Sequence, residues 1–120
     1  MDTILIVDDV QSDRELLGKV VTGAGHKAIY AADGAEAITR AREAKPSLIL
    51  MDVVMQGQDG FKACRSIKQD AELGKIPVVL VTSKGTDSDK FWAKKQGADD
   101  HITKPWNADA ILSVIRRYAR

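Results

Sequence analysis

Short apolar runs alternate with amphipathic segments along the whole chain. Five runs of mainly apolar residues are visible: Ile4–Val7, Lys27–Ala31, Leu48–Met51, Val78–Val81 and, more weakly, Asp99–Thr103. Continuous Val, Ile and Leu content is typical of strands buried on both faces of a parallel sheet. The pattern therefore predicts a (βα)₅ alternation, folded as a doubly wound α/β sandwich in one domain over residues 1–120.

Helix-capping residues stand where this alternation predicts the ends of helices. Two pairs have the spacing of a capping box: Ser12 with Glu15, and Asp33 with Glu36. Further caps are expected for the last two helices: Thr86 or Asp87 before the fourth, Gly97 after it, and Asn107 before the fifth.

The composition suits a globular domain without a strong charge bias. The 120 residues are 44% hydrophobic, enough for one core without disulfides or a structural metal. A net charge of +1, with both signs mixed along the chain, argues against nucleic acid as a partner. Cys64 is the only cysteine and is expected to be a buried spectator.

No stretch has the character of a targeting or membrane segment. The first residues lack a basic leader and a small-residue cleavage site. No apolar run approaches the roughly 20 residues that span a bilayer. We therefore expect a soluble cytoplasmic protein that does not insert into membranes.

Polar residues follow four of the five predicted strands. They are Asp8–Asp9 after the first run, Asp52 after the third, Thr82–Ser83 after the fourth and Lys104–Pro105 after the fifth. Ligands of doubly wound sheets bind at the carboxyl ends of the strands. Three carboxylates, a hydroxyl and an ammonium are thus expected to meet at one edge of the sheet.

These residue types suit phosphoryl transfer. Carboxylates that lie close together repel one another, and a bound Mg²⁺ ion with oxygen ligands relieves that repulsion. A carboxylate beside Mg²⁺ can form an aspartyl phosphate, while a lysine stabilises the transferring group. Each residue alone could be an ordinary strand-end or turn residue. Their coincidence at one edge of the sheet favours a functional site.

The sequence around these residues resembles the receiver domain of two-component response regulators. The matching stretches are Ile4-Leu5-Ile6-Val7-Asp8-Asp9, Leu50-Met51-Asp52-Val53-Val54-Met55 with Asp59-Gly60, Val81-Thr82 and Thr103-Lys104-Pro105. They occur in the family's order and cover the whole chain. The resemblance implies a flavodoxin-like, CheY-like fold with five parallel strands in the order 2-1-3-4-5.

The resemblance also implies a phosphorylation site and a metal site. Asp52 would be the phosphoacceptor. Asp8 and Asp9 would hold Mg²⁺, directly or through water, with help from Asp52 and the backbone carbonyl of Val54.

A switch is implied in the same way. Thr82 would be the switch hydroxyl, and Lys104 would pair with the phosphoryl group. The Lys104–Pro105 peptide bond is expected to be cis, an uncommon conformation. His101 stands where the family usually has Tyr or Phe as an aromatic switch residue. It is either a half-exposed strand residue or a titratable replacement that makes the output sensitive to pH.

The implied function is that of a stand-alone regulator in a phosphorelay. A sensor histidine kinase would donate the phosphoryl group, and the chain would catalyse only its own phosphorylation and dephosphorylation. A target protein would bind the surface of the fourth helix, fifth strand and fifth helix, where Trp92 and Trp106 are candidate anchors. The stretch Thr86-Asp87-Ser88-Asp89-Lys90-Phe91-Trp92 with Lys95-Gln96-Gly97-Ala98 resembles regulators of pilus-based twitching or phototactic motility.

Three alternatives stay open from the sequence. A phosphate sink would accept the phosphoryl group without binding a target. An Mg²⁺-dependent phosphatase or phosphotransferase would turn over a small substrate, although such enzymes usually have a second aspartate where Val54 stands. A degenerate receiver would bind partners without phosphorylation.

The sequence departs from the family's pattern at one further position. The proline that usually follows the methionine at Met55 is missing, since Gln56 occupies that position.

Overall fold

The computed structural model describes residues 2–55, 58–83 and 86–119. Gln56, the position at which the chain departs from the proline usual in the family, lies outside the described residues. In chain order the elements are β1 (Thr3–Val7), α1 (Gln11–Gly23), β2 (Lys27–Ala31), α2 (Gly34–Ala44), β3 (Leu48–Met51), β4 (Val54–Met55), β5 (Gln58–Asp59), α3 (Gly60–Gln69), β6 (Val78–Thr82), α4 (Asp87–Lys95), β7 (Asp100–Thr103) and α5 (Ala108–Tyr118).

The five longer strands form one parallel sheet in the order β2-β1-β3-β6-β7. This is the order 2-1-3-4-5 of the five predicted strands, so the predicted fold class is confirmed. The remaining strands, β4 and β5, form a short antiparallel pair directly after β3 that the apolar pattern did not predict.

Alternate residues of the central strands point to opposite faces of the sheet and build two cores. Leu5 and Ile49 belong to the core that includes residues of α2, α3 and α4. Ile4 and Leu50 belong to the core that includes residues of α1 and α5. Burial of each of these side chains contributes about 1.5–3 kcal/mol to the stability of the fold. Packing on both faces therefore holds the carboxyl ends of the strands in place.

One predicted helix start is wrong. The α1 helix begins at Gln11 and not after Ser12, and Val10 is its N-cap residue without a side-chain cap. The cause is a local contact, because the Asp8 carboxylate accepts the Val10 N–H at 3.0 Å and so turns the chain into the helix at once. Glu15 then accepts a hydrogen bond from the Gln11 amide at 3.0 Å.

The other predicted helix starts are confirmed. Asp33 accepts the Glu36 N–H at 2.8 Å, while the Glu36 carboxylate reaches back to the Ala32 N–H. Thr86 caps α4, and Asn107 caps α5.

Two further predictions from the sequence can be compared with the described residues. Cys64 is buried on α3, and burial raises the pKa of its thiol to about 12, which suits an unreactive core residue. Within the described ranges, none of the helices has the length and apolar character required to cross a membrane.

Candidate functional site

Three side chains meet at the carboxyl edge of the sheet. The Lys104 Nζ lies 3.0 Å from Asp8 Oδ2 and 3.0 Å from Asp52 Oδ2. Asp8 and Asp52 are only 1% and 7% exposed, and they are among the few buried polar residues described. A partly buried ammonium therefore joins two buried carboxylates that are 44 positions apart in the sequence.

The register of the strands causes this meeting. Val7 pairs with Met51, so β1 and β3 end together and Asp8 and Asp52 follow at the same level. The Asp52 N–H donates to the Val7 carbonyl at 2.9 Å, which continues the ladder by one bond. The Lys104 N–H likewise donates to the Thr82 carbonyl at 2.8 Å, and the Lys104–Pro105 peptide bond is cis.

The buried position of Asp8 disfavours the charged form of its carboxylate. Burial raises the pKa of Asp8, and the neighbouring Asp52 carboxylate acts in the same direction. Hydrogen bonds from the Val10 N–H and from Lys104 lower it, but they offset the rise only in part. The negative form of Asp8 is therefore held in a place where a further positive charge would stabilise it.

Lys104 stays charged despite its partial burial. Burial alone would lower the pKa of Lys104, but its hydrogen bonds to Asp8, Asp52 and Asp13 raise the pKa above its ordinary value. The ammonium is thus a fixed positive charge at this edge of the sheet.

Asp13 is a member of the cluster that the sequence analysis missed. Its Oδ2 accepts a hydrogen bond from Lys104 Nζ at 3.1 Å. Asp13 lies in the first turn of α1. The capping pattern predicted that α1 begins after Ser12, two residues too late, and so did not place Asp13 near the strand ends. The missed signal is the turn in which the Asp8 carboxylate accepts the Val10 N–H.

The remaining predicted site residues at the strand ends are Asp9, Val54 and Thr82. Asp9 follows Asp8 and is half-buried, and Val54 begins β4 two residues after Asp52. Thr82 is fully buried at the end of β6, where it pairs with Thr103 of β7.

The three aromatic candidates of the switch and output surface have different environments. His101 is half-buried on β7, opposite Leu80 of β6. Trp106 packs against the core shared with α1 and α5. Trp92 is 55% exposed on α4 and stacks edge-on against Phe91, with ring centroids 6.2 Å apart.

The donor set at this edge fits a magnesium ion. Two carboxylates, Asp8 and Asp52, contact the same ammonium and so lie close together. Mg²⁺ is usually held by one or two carboxylates and completes its shell with water and phosphate oxygens. Among residues 2–55, 58–83 and 86–119, no three acidic, histidine or cysteine side chains are arranged as a metal cage. A metal here would thus rely on few protein ligands, and it would relieve the cost of burying Asp8.

The sequence profile of a known family, the response regulator receiver domain, matches residues 4–116. The chain belongs to this family. Receiver domains are signalling domains that take a phosphoryl group from a histidine kinase and generally use Mg²⁺ to do so. The resemblance seen in the sequence motifs is therefore confirmed.

Individual relatives agree with this assignment. Protein PilH of Pseudomonas aeruginosa is 42% identical to the receiver over 115 residues, which cover 96% of this chain and 95% of PilH. Response regulator PleD of Caulobacter vibrioides is 36% identical, and there the match covers 98% of this chain but 26% of PleD. The chain therefore matches nearly the full length of PilH and about a quarter of PleD.

Solved structures share the receiver's fold over nearly its full length. The chemotaxis protein CheY4 of Vibrio cholerae superposes with a TM-score of 0.92 at 29% identity, covering 98% of both chains. A putative response regulator from Chloroflexus aurantiacus gives a TM-score of 0.91 at 32% identity, covering 99% of this chain and 98% of that one. The receiver is therefore a CheY-like response regulator.

Proposed function

We propose that the receiver domain spans residues 1–120 and accepts a phosphoryl group on Asp52. The observation that supports this most is the Asp52 carboxylate itself, which is buried at the end of β3 with Lys104 Nζ 3.0 Å from its Oδ2. Burial limits hydration of the carboxylate, and the ammonium supplies the positive charge that an incoming phosphoryl group requires.

In the proposed reaction, an Asp52 carboxylate oxygen forms a bond to phosphorus while the bond from phosphorus to the donor's nitrogen or oxygen breaks. Lys104 balances negative charge on the phosphoryl oxygens. Asp8 and Asp9 would hold Mg²⁺, directly or through water, with help from Asp52 and the Val54 carbonyl. That ion, when bound, neutralises the charge of the phosphoryl oxygens.

Thr82 and Lys104 would transmit the modification. Thr82 ends β6, and Lys104 follows β7, which pairs with β6 through Thr82 and Thr103. Movement of both side chains toward a phosphoryl group would pull on the loops after these two strands. His101 lies on the same pair of strands, and we propose that it takes the place of the aromatic switch residue.

The proposed partners are a sensor histidine kinase and a target protein. The target would bind the surface of α4, β7 and α5, where Phe91 and Trp92 are more than half exposed. Exposed aromatic side chains are common anchors of protein interfaces. With PilH as a relative, pilus-based or chemotaxis-like motility in the cytoplasm is the proposed setting.

Transfer from a phosphohistidine protein tests this proposal. A purified kinase domain labelled with ³²P on histidine should lose its label to the wild type and keep it in the presence of Asp52→Asn. Transfer of label to Asp52→Asn at the wild-type level would overturn the assignment of Asp52.

Release of inorganic phosphate tests the phosphatase alternative in the same samples. Phosphate should be released slowly, and only from receiver molecules that have themselves been phosphorylated. Rapid release from a small phosphate ester that is independent of the kinase would favour the phosphatase.

A further inference from the structure

The Lys104 ammonium uses all of its N–H donors in this structure. A lysine ammonium has three N–H donors. Lys104 Nζ donates to Asp8 at 3.0 Å, to Asp52 at 3.0 Å and to Asp13 at 3.1 Å. Phosphorylation converts the Asp52 carboxylate into an acyl phosphate and so frees one of these donors. A second hydrogen bond from Lys104 to the phosphoryl oxygens requires Asp8 or Asp13 to give up its own.

The two carboxylates that stay ionised differ in what their release would cost. The side chain of Asp8 is 2% exposed, whereas that of Asp13 is 42% exposed. A buried carboxylate that loses its cation suffers most of its desolvation penalty uncompensated, but an exposed one is solvated by water. Asp13 is thus the partner that Lys104 can leave most easily.

The surroundings of Asp13 leave space for this release. Asp13 and Lys104 line an open cavity of about 380 Å³ between α1 and the loop that follows β7. Leu16, Leu17 and Trp106 form apolar walls of the same cavity. The Asp13 carboxylate can therefore turn away from Lys104 without displacing a packed side chain.

From these observations we infer that Asp13 is a positioning residue, which holds Lys104 in the unphosphorylated receiver and competes with the phosphoryl group for it. The inference rests on the proposed function of Asp52 and Lys104. In the unphosphorylated protein, the Asp13–Lys104 pair ties the first turn of α1 to the β7–α5 loop. Phosphorylation exchanges this tie for a bond to the phosphoryl oxygen.

Removing the Asp13 charge should favour the phosphorylated state. For Asp13→Asn, the concentration of acetyl phosphate that half-saturates phosphorylation with Mg²⁺ should fall about two- to fivefold, the range expected of a partly exposed ion pair. Phos-tag electrophoresis of samples quenched at a series of acetyl phosphate concentrations measures this value.

Two further variants separate positioning from a general charge effect. Glu15→Gln removes the same charge from the same helix, at an exposed residue that bonds Gln11 and not Lys104, and should leave the half-saturating concentration unchanged. Asp13→Glu keeps the charge and should fall between the wild type and Asp13→Asn.

The outcomes distinguish this inference from the function on which it rests. If the wild type is phosphorylated but Asp13→Asn needs as much acetyl phosphate or more, the role of Asp13 is wrong and the role of Asp52 stands. An equal shift in Glu15→Gln would also overturn positioning by Asp13. If the wild type takes no phosphoryl group at all, both proposals fail.

Discussion

Asp8 shows at the scale of one residue how the site is maintained at the expense of stability. Its carboxylate is almost fully buried, and burial raises its pKa. A raised pKa in the folded state means that folding favours the protonated, neutral form. At neutral pH the charge of Asp8 therefore lowers the stability of the fold. This cost favours a role for that charge in the function of the site.

Replacing Asp8 with Asn should make the receiver more stable at pH 7 in the absence of Mg²⁺. The gain over the wild type should shrink as the pH falls through the raised folded-state pKa of Asp8 and should be lost below 3.8, the ordinary value, because the wild type is then neutral there too. Thermal unfolding at a series of pH values checks this.

Asp70→Asn provides a control of opposite sign. Hydrogen bonds from the Glu72 and Leu73 N–H groups lower the pKa of Asp70. Its contribution to stability is present above the unfolded-state pKa and is lost as the pH falls through the lower folded-state pKa. Asp70→Asn should therefore lower the melting temperature at pH 7. A loss of stability in Asp8→Asn would contradict this account of Asp8.

At the scale of the elements, the start of α3 is fixed against the loop that carries Asp52. A Cβ atom added at Gly60 would lie 2.3 Å from the Val53 Cα and 2.5 Å from the Asp52 carbonyl oxygen. The Gly60 N–H also donates to the Val53 carbonyl at 3.0 Å. The glycine therefore sets how closely the helix approaches the backbone of the proposed phosphoacceptor.

Gly60→Ala should destabilise the receiver by about 1–3 kcal/mol, since backbone atoms must move to admit the methyl group. It should also slow phosphorylation by acetyl phosphate. Gly23→Ala is the matched control, because no atom lies within 4 Å of its added Cβ, and it should raise stability by up to about 1 kcal/mol. Urea unfolding of both variants measures the difference, and equal effects would count against the close contact at Gly60.

Elements of the sheet could be predicted from the sequence because burial on both faces leaves a continuous apolar run. The polar residue after each run then identified Asp8, Asp52 and Lys104 as neighbours. Asp13 could not be placed in the same way, since the start of α1 depends on the bond between the Asp8 carboxylate and Val10. The β4–β5 pair has two residues in each strand, too few for a periodic pattern.

At the scale of the whole molecule, the two tryptophans have different environments that the sequence did not reveal. Both were candidate anchors, because each belongs to the region of the fourth helix, fifth strand and fifth helix. Only the tertiary fold decides which packs inward: Trp106 covers the α1–α5 core, whereas Trp92 projects from α4. The exposed pair of Phe91 and Trp92 is thus available for a target protein.

Trp92→Ala should leave both stability and phosphorylation nearly unchanged, with a change in unfolding free energy below about 0.5 kcal/mol. Trp106→Ala should cost more, about 1–3 kcal/mol, because it removes part of a packed surface. Differential scanning calorimetry compares the two. Equal destabilisation by both variants would show that Trp92 stabilises the fold and is not an exposed anchor for a target protein.

The central claim is that Asp52 accepts the phosphoryl group with the help of Mg²⁺, and intact-mass spectrometry after incubation with acetyl phosphate tests it most directly. The wild type and the exposed control variant Asp109→Asn should each gain the mass of one phosphoryl group when Mg²⁺ is present and lose that gain when it is chelated. Asp52→Asn should gain none. A wild type that stays unmodified, or an Asp52→Asn variant that is modified to the same extent, would contradict the account.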